Sequence, residues 1–352
     1  MSKFFALRQL SLALLVTGFA TTVQAEEAAT ASTPMALKPI SNMEFTRSQL
    51  SEVLLPAHSK LAQASADLAA ASRKFCAAPV ASGFASLQAQ YVNTLAAWRT
   101  IEIAPLGPTS EPEVGRIMEG AAQSPEQILT LAKQRPAGEM VDGQAAYEAR
   151  VLPAWGIGFK AIESLLYTDK PTKSMQRLSQ ADACAYLSWQ AQVVAYHTET
   201  LRRAWQGLNR GVAYDLSYPR TYQTQYFNRL VEGAREIGAA KVGLTQSGWQ
   251  DQRAGATVVG LRANVAGIRG LLTGNQAGIG LDDFMLSRED KDKWAQVDVA
   301  LKALEAALPT SEQALKPAAA KKLAAAGNQL ADVLEKQIAP LMSIKIGKVQ
   351  PQ

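Results

Sequence analysis

Read as hydrophobic and polar positions, the chain alternates stretches of helical period with short breaks rich in Gly, Pro and Ser. Thr46-Arg47-Ser48-Gln49 has the order of a capping box. Leu50, Val53, Leu54, Leu61, Ala64 and Leu68 then recur at helical spacing to about Phe75. Pro56 lies inside that run, which predicts a kink or a break there. A second helix is predicted over 83–103, with Phe84, Leu87, Tyr91, Leu95 and Trp98 as its stripe and Pro105, Gly107 and Pro108 ending it. Residues 113–120 add a turn or two. Ser124-Pro125-Glu126-Gln127 supplies an N-cap, Pro at N1, an acid and an amide, starting a short helix that ends near Pro136. Residues 142–152 form another helical run, which Pro153 breaks.

The stretch 155–167 comes next. At about 100° per residue, Trp155, Phe159, Ile162 and Leu166 share one narrow stripe. Gly156, Lys160, Glu163 and Tyr167 form a second row beside it, at the edge of buried surface. A lysine and a glutamate one turn apart in that position line a cleft or make an ordinary boundary salt bridge. Pro171 then marks a linker. Helices are predicted over 179–208 (Tyr186, Trp189, Val193, Tyr196, Trp205), 221–237 and 253–272, with a loop over 274–280. They continue over 281–308, with an internal cap at Ser287-Arg288-Glu289-Asp290, and over the Ala-rich 317–338. No run has the period of two that marks a strand. The pattern predicts an all-α protein of two four-helix-bundle-like domains packed together, over 44–172 and 173–345.

Composition and charge then narrow the setting. Met1 to Arg8 is basic, an apolar run follows to Ala20, and Val23-Gln24-Ala25 precedes the acidic Glu26-Glu27. This is the order of a secretory signal peptide cleaved after Ala25, followed by a flexible leader over 26–43. The expected location is periplasmic, or peripheral to the envelope. No later segment is apolar for long enough to predict a transmembrane helix. The net charge is +5, and removal of Lys3 and Arg8 leaves +3. That excess is scattered, which argues against nucleic acid. Cys76 and Cys184 are the two cysteines; an exported chain favours a disulfide between them over two buried thiols.

The familiar catalytic motifs are missing: no G-x-S-x-G, phosphate loop, dinucleotide fingerprint, His-Glu-x-x-His or Cys-x-x-Cys. Of two histidines, His58 reads as a surface or boundary residue and His197 as a core histidine satisfied by one hydrogen bond. Carboxylates and tyrosines remain. Glu102 and Glu163 on facing helices have the chemistry to converge on a hard cation such as ferric iron. Alternatively, Arg99 neutralises Glu102 and Lys160 neutralises Glu163, as i,i+3 pairs. Gly260, Asn264 and Gly267 form a small-residue row suited to close helix packing. The buried Asn264 makes a structural hydrogen bond or meets a ligand. Arg262 and Arg269 share a face that either holds an anion or is solvated.

Gly158-Phe159-Lys160-Ala161-Ile162-Glu163 resembles the G-x-H-x-x-E signature of imelysin-like proteins, the peptidase M75 family related to periplasmic iron-uptake proteins. Leu55-Pro56, Trp98-Arg99-x-x-Glu102 with Gly107-Pro108, and Asn264-x-x-x-Ile268-Arg269-Gly270 are similar in order to other parts of that family. The resemblance implies two four-helix bundles with a site between them near the motif. It also implies a role in iron acquisition, with iron, haem or an envelope iron-uptake protein as partner, or a metal-dependent peptidase. Carried over by position, Gly158 and Glu163 keep the motif and Glu102 stands on the earlier acidic helix. Lys160 replaces the histidine; as an ammonium it has no lone pair for a metal. The expectation is therefore a binding or accessory module with no catalytic residues and without the motif-type metal site. The cleft residues would be Glu102, Gly158, Lys160, Glu163, Tyr167 and Asn264, and any metal would fall to Glu163 and Glu102. A scaffold that binds an envelope protein is the remaining alternative.

Overall fold

The computed structural model describes residues 38–121, 124–134, 152–167, 171–243 and 249–347. The signal sequence and, apart from Leu152, the predicted helix over 142–152 lie outside them. Among the described residues there is no strand, and no helix is long and apolar enough to cross a membrane.

The helices, in chain order, are α1 (Asn42–Ser48), α2 (Leu55–Ala77), α3 (Ala81–Glu102), α4 (Pro112–Glu119), α5 (Pro125–Gln134), α6 (Gly158–Leu166) and α7 (Pro171–Leu178). They continue with α8 (Ala181–Gly211), α9 (Tyr218–Glu236), α10 (Thr257–Thr273), α11 (Leu281–Leu286), α12 (Lys291–Ala306) and α13 (Pro317–Val333). Three starts and breaks differ from those expected. The first capping box is Ser41 with Glu44, not Thr46-Arg47-Ser48-Gln49; Thr46 is buried inside the helix. Pro56 neither breaks nor ends its run, because a π-helical turn, Gln49–Leu54, leads into α2. That widened turn absorbs the backbone bond that proline cannot make. Pro171 opens a short helix rather than a linker, taking the first helical position where its missing N–H costs nothing. The break inside 281–308 falls at the internal cap, where Glu289 turns left-handed (φ 66°).

The buried apolar side chains form two cores. One gathers Leu61 to Phe75 of α2, Phe84 to Ile101 of α3, α5, α6 and the first half of α8. The other gathers Phe45 to Leu54, Leu201 and Trp205 of α8, and helices α9 to α13. Leucines such as Leu61, Leu68, Leu87 and Leu95 are wholly buried, each contributing about 2 kcal/mol. Helix α2, with the π turn that leads into it, runs side by side with α8, and both pass from one core to the other. Cys76 and Cys184 join their ends in a disulfide.

The end of α3 is the crossing point: Ile101 belongs to the first core, Ile103 and Leu106 to the second. Helix α10 packs along α3 so closely that a Cβ at Gly267 would sit 2.0 Å from the Thr100 carbonyl oxygen. The small-residue row Gly260, Asn264, Gly267 thus serves close helix packing. Helix α9 approaches the same turn through Gly233, beside the Ile103 carbonyl.

Candidate functional site

Arg99 is fully buried where α3 crosses between the cores. It falls one turn after Leu95, on the inward arc of its helix, so its charge has to be met inside the protein. It is met twice over. Nη1 and Nη2 donate to the Glu119 carboxylate at 2.5 and 2.9 Å. Nε and Nη2 donate to the two oxygens of Asp251 at 2.8 and 2.7 Å. Burial works against the guanidinium charge, and Glu119, Asp251 and Glu102 outweigh it, so the Arg99 pKa stands well above its ordinary value. Burial also opposes ionisation of Glu119, but Arg99 beside it holds that carboxyl far below the usual carboxylate range.

Asp251 comes from the turn that precedes α10. Its backbone is left-handed (φ 61°), a conformation Asp tolerates better than most residues. The whole turn is strapped across α3, α4 and α6. Gln250 Nε2 donates to Glu119 at 3.2 Å, Asp251 clamps Arg99, and the Ala254 backbone N–H donates to Glu163 Oε1 at 3.1 Å.

Helix α6 brings the motif to this turn. Gly158, at φ 70°, begins the helix with its Cα against the end of α4, where a Cβ would stand 2.5 Å from the carbonyl oxygens of Ile117 and Met118. Its N–H donates to Gln190 of α8 at 3.2 Å. Gly120 makes the reciprocal approach to the Ile157 carbonyl. So placed, α6 directs Lys160 Nζ between Glu163 Oε2 (3.3 Å) and Asp251 Oδ1 (3.2 Å). Burial opposes the ammonium, but Asp251, Glu163 and Glu119 prevail and raise its pKa. Glu163 itself is 4% exposed, deeper than the edge position its spacing predicts. Burial pushes its carboxyl up, and Lys160 offsets that only in part.

The structure therefore brings Glu102, Lys160, Glu163 and Asn264 into one network. The i,i+3 contact of Arg99 with Glu102 is present at 3.6 Å. The closer partner of Glu102 is Lys241, at 2.8 and 2.6 Å from its two oxygens. Asn264 Nδ2 donates to the Arg99 carbonyl (2.7 Å) and to Glu102 Oε1 (3.0 Å). Tyr167 stands apart: its hydroxyl donates to the Gln88 carbonyl at 3.3 Å, and burial with Glu163 nearby raises its pKa. Glu119, Lys241 and Asp251 were not legible from pattern. Arg99 inside an apolar arc was the one available signal that buried carboxylates had to face it. Arg262 and Arg269 do not combine into an anion site, because Arg269 is taken by a carboxylate. Arg262 donates to the carbonyls of Pro309 and Thr310, and Arg269 pairs with Glu305.

Both histidines are placed differently from expectation. His58 is buried, 1% exposed, because the helix through Pro56 turns it inward onto Trp205. Its Nδ1 meets the Leu54 carbonyl at 2.7 Å, which makes it the protonated nitrogen. Nε2 then accepts from the Thr109 hydroxyl at 2.8 Å, and Trp205 Nε1 donates to that same hydroxyl at 2.9 Å. Burial lowers the imidazole pKa to about 4. His197 is half-buried, edge-on to Tyr196, rather than in the core.

A cleft of about 1080 Å³ opens over one end of the network, with Glu102, Glu119, Lys241 and Gln250 in its floor. Trp98, Pro105 and Pro112 line one side, and α9 lines the other from Arg220 to Glu232. Lys160 and Glu163 do not line it; they reach its floor through Asp251 and Arg99.

The sequence profile of imelysin (peptidase M75) matches residues 54–339. The chain belongs to the imelysin family. Its fold is similar to the crystal structure of an imelysin-like protein from Psychrobacter arcticum 273-4, with a TM-score of 0.70 and 17% identity over 87% of this chain and 97% of that one. It is also similar to a protein from Parabacteroides distasonis ATCC 8503 provisionally named an iron-regulated protein A precursor. There the TM-score is 0.62 and the identity 13%, over 84% of this chain and 94% of that one. At those identities the likeness shows the fold alone. No curated protein matches the chain.

The family's motif would place a metal at this network, and the donor set argues against one. Each oxygen of Glu102, Glu119, Glu163 and Asp251 already accepts a hydrogen bond from Arg99, Lys160, Lys241 or another fixed donor. Three internal cations face four carboxylates. A metal ion would have to displace a buried ammonium or guanidinium to gain a ligand, so these residues do not fit one.

Proposed function

We propose that this imelysin-family protein is an exported binding or accessory module in bacterial iron or haem acquisition, without peptidase activity. The observation that carries the reading is Lys160 Nζ between Glu163 and Asp251, a resident cation at the motif. With every carboxylate oxygen held by an internal donor, the network serves as a rigid floor, and the cleft above it receives the ligand. The name of the Parabacteroides protein supports a connection with iron.

The test is a titration of ferrous, ferric and zinc ions against the purified protein, Lys160→His and Glu163→Ala. Stoichiometric binding is expected only in Lys160→His, where a neutral imidazole replaces the ammonium. Tight binding by the unsubstituted protein, lost in Glu163→Ala, would overturn the reading. So would pH-dependent protein cleavage abolished by Glu163→Gln, which would establish the peptidase. Haem and ferric chelates are the ligands to offer the cleft.

A further inference from the structure

Tyr214 and Leu216 are the most exposed large apolar side chains among the described residues, at 90% and 87%. They lie two positions apart on the turn that joins α8 to α9, far from any use in the network. The turn is built to hold them out. Asp215 Oδ1 accepts from the Ser217 N–H, the Ser217 hydroxyl and the Tyr218 N–H at 2.9, 2.7 and 3.2 Å. Arg47 Nη2 braces the other side by donating to the Ala213 carbonyl at 3.3 Å.

The surroundings are basic. Arg210 ends α8 and Arg220 opens α9, on either side of the turn, and Arg47 touches it. Arg47 and Arg220 donate to backbone carbonyls, of Ala213 and of Met342 and Ser343. Those contacts orient a guanidinium without cancelling its charge. None of the three arginines is ion-paired with a carboxylate among the described residues. The acids at hand, Asp215 and Glu44, accept from backbone N–H groups and keep their charge, so the three arginines exceed them by one.

We propose that this turn is a membrane-surface anchor. Tyr214 and Leu216 enter the interfacial layer of an anionic phospholipid bilayer while Arg47, Arg210 and Arg220 meet the headgroup phosphates. Tyr214 and Leu216, at 90% and 87% exposed, are held out from the fold rather than set in a pocket wall, which suits a fluid surface better than a shaped protein partner. Tyrosine is at home in the headgroup layer, and arginines next to it are drawn to anionic lipid. Two inserted side chains give weak, reversible attachment. Because α9 also walls the cleft from Arg220 onward, attachment sets one end of the cleft beside the bilayer.

The experiment is co-sedimentation of the chain from Glu26 onward, which keeps every described residue, with vesicles of phosphatidylglycerol and phosphatidylcholine, or of phosphatidylcholine alone. Binding to the anionic vesicles, weakened by salt, is expected. Tyr214→Ser with Leu216→Ser should reduce it roughly tenfold or more and leave thermal stability unchanged, since neither side chain packs against the fold. Equal binding by that variant, or no preference for anionic lipid, would overturn the proposal. So would a concentration-dependent dimer in the vesicle-free protein that the same substitutions abolish, because the turn would then be a protein contact.

Discussion

Lys160 Nζ lies 3.2 Å from Asp251 Oδ1, tying the motif helix to a turn 91 residues further along the chain. The same ammonium meets Glu163, so its removal strands a carboxylate that is almost wholly buried. Lys160→Met should destabilise the protein by about 3 kcal/mol at pH 7, measured by urea unfolding. Glu163 in this variant has a folded pKa raised by burial with no ammonium to offset it. The folded state then binds more protons than the unfolded one, and stability should recover as pH falls from 7 toward 5.

The His58 imidazole titrates the other way. Its folded pKa of about 4 lies below the unfolded value of 6.5, so the unfolded chain takes up the proton first. Its contribution is whole above pH 6.5 and is lost as pH falls toward 4, up to about 3 kcal/mol. Unfolding curves of the native protein and His58→Gln, compared across that window, should differ in slope. Parallel curves would show that the buried ring does not titrate there.

Gly158 and Gly207 make a paired test of packing. Gly158→Ala puts a methyl group 2.5 Å from two carbonyl oxygens at a left-handed residue, and should cost at least about 3 kcal/mol. Gly207→Ala, on α8 with nothing within 4 Å, should stabilise by up to about 1 kcal/mol. Thermal melts of the two variants should move in opposite directions.

The disulfide closes a loop with a sequence separation of 108. On the loop-entropy argument, Cys76→Ser with Cys184→Ser should lower stability by about 4 to 5 kcal/mol. The loss should appear as a fall in midpoint in denaturant, and it should match that of the native chain under reductant.

Much of this architecture was legible because helices of this length write their buried face into the sequence. The stripe of α3 and the long α8 follow directly from apolar spacing, and the start of α5 from its cap. The π turn before Pro56 was not, since nothing local distinguishes a widened turn from a break. At the site, Lys160, Glu163, Glu102 and Asn264 stood out because each is polar beside an apolar stripe. Asp251 and Glu119 did not. Asp251 lies in an irregular turn, Glu119 at the last residue of a short helix, and only the tertiary approach of α4 and α10 to Arg99 gives either its role. His58 was misread for a related reason: helical phase through an irregular turn cannot be counted at a fixed angle per residue.

The shared passage of α2 and α8 through both cores has a mechanical consequence. Two long helices lying side by side and covalently joined act as a splint, so the halves of the molecule cannot swing apart like jaws about a single hinge. In the reading proposed above, a ligand entering the cleft has to be accommodated by the shorter pieces at its rim, the Gly107–Ser110 turn, α4 and the first turns of α9, while the charged floor keeps its shape.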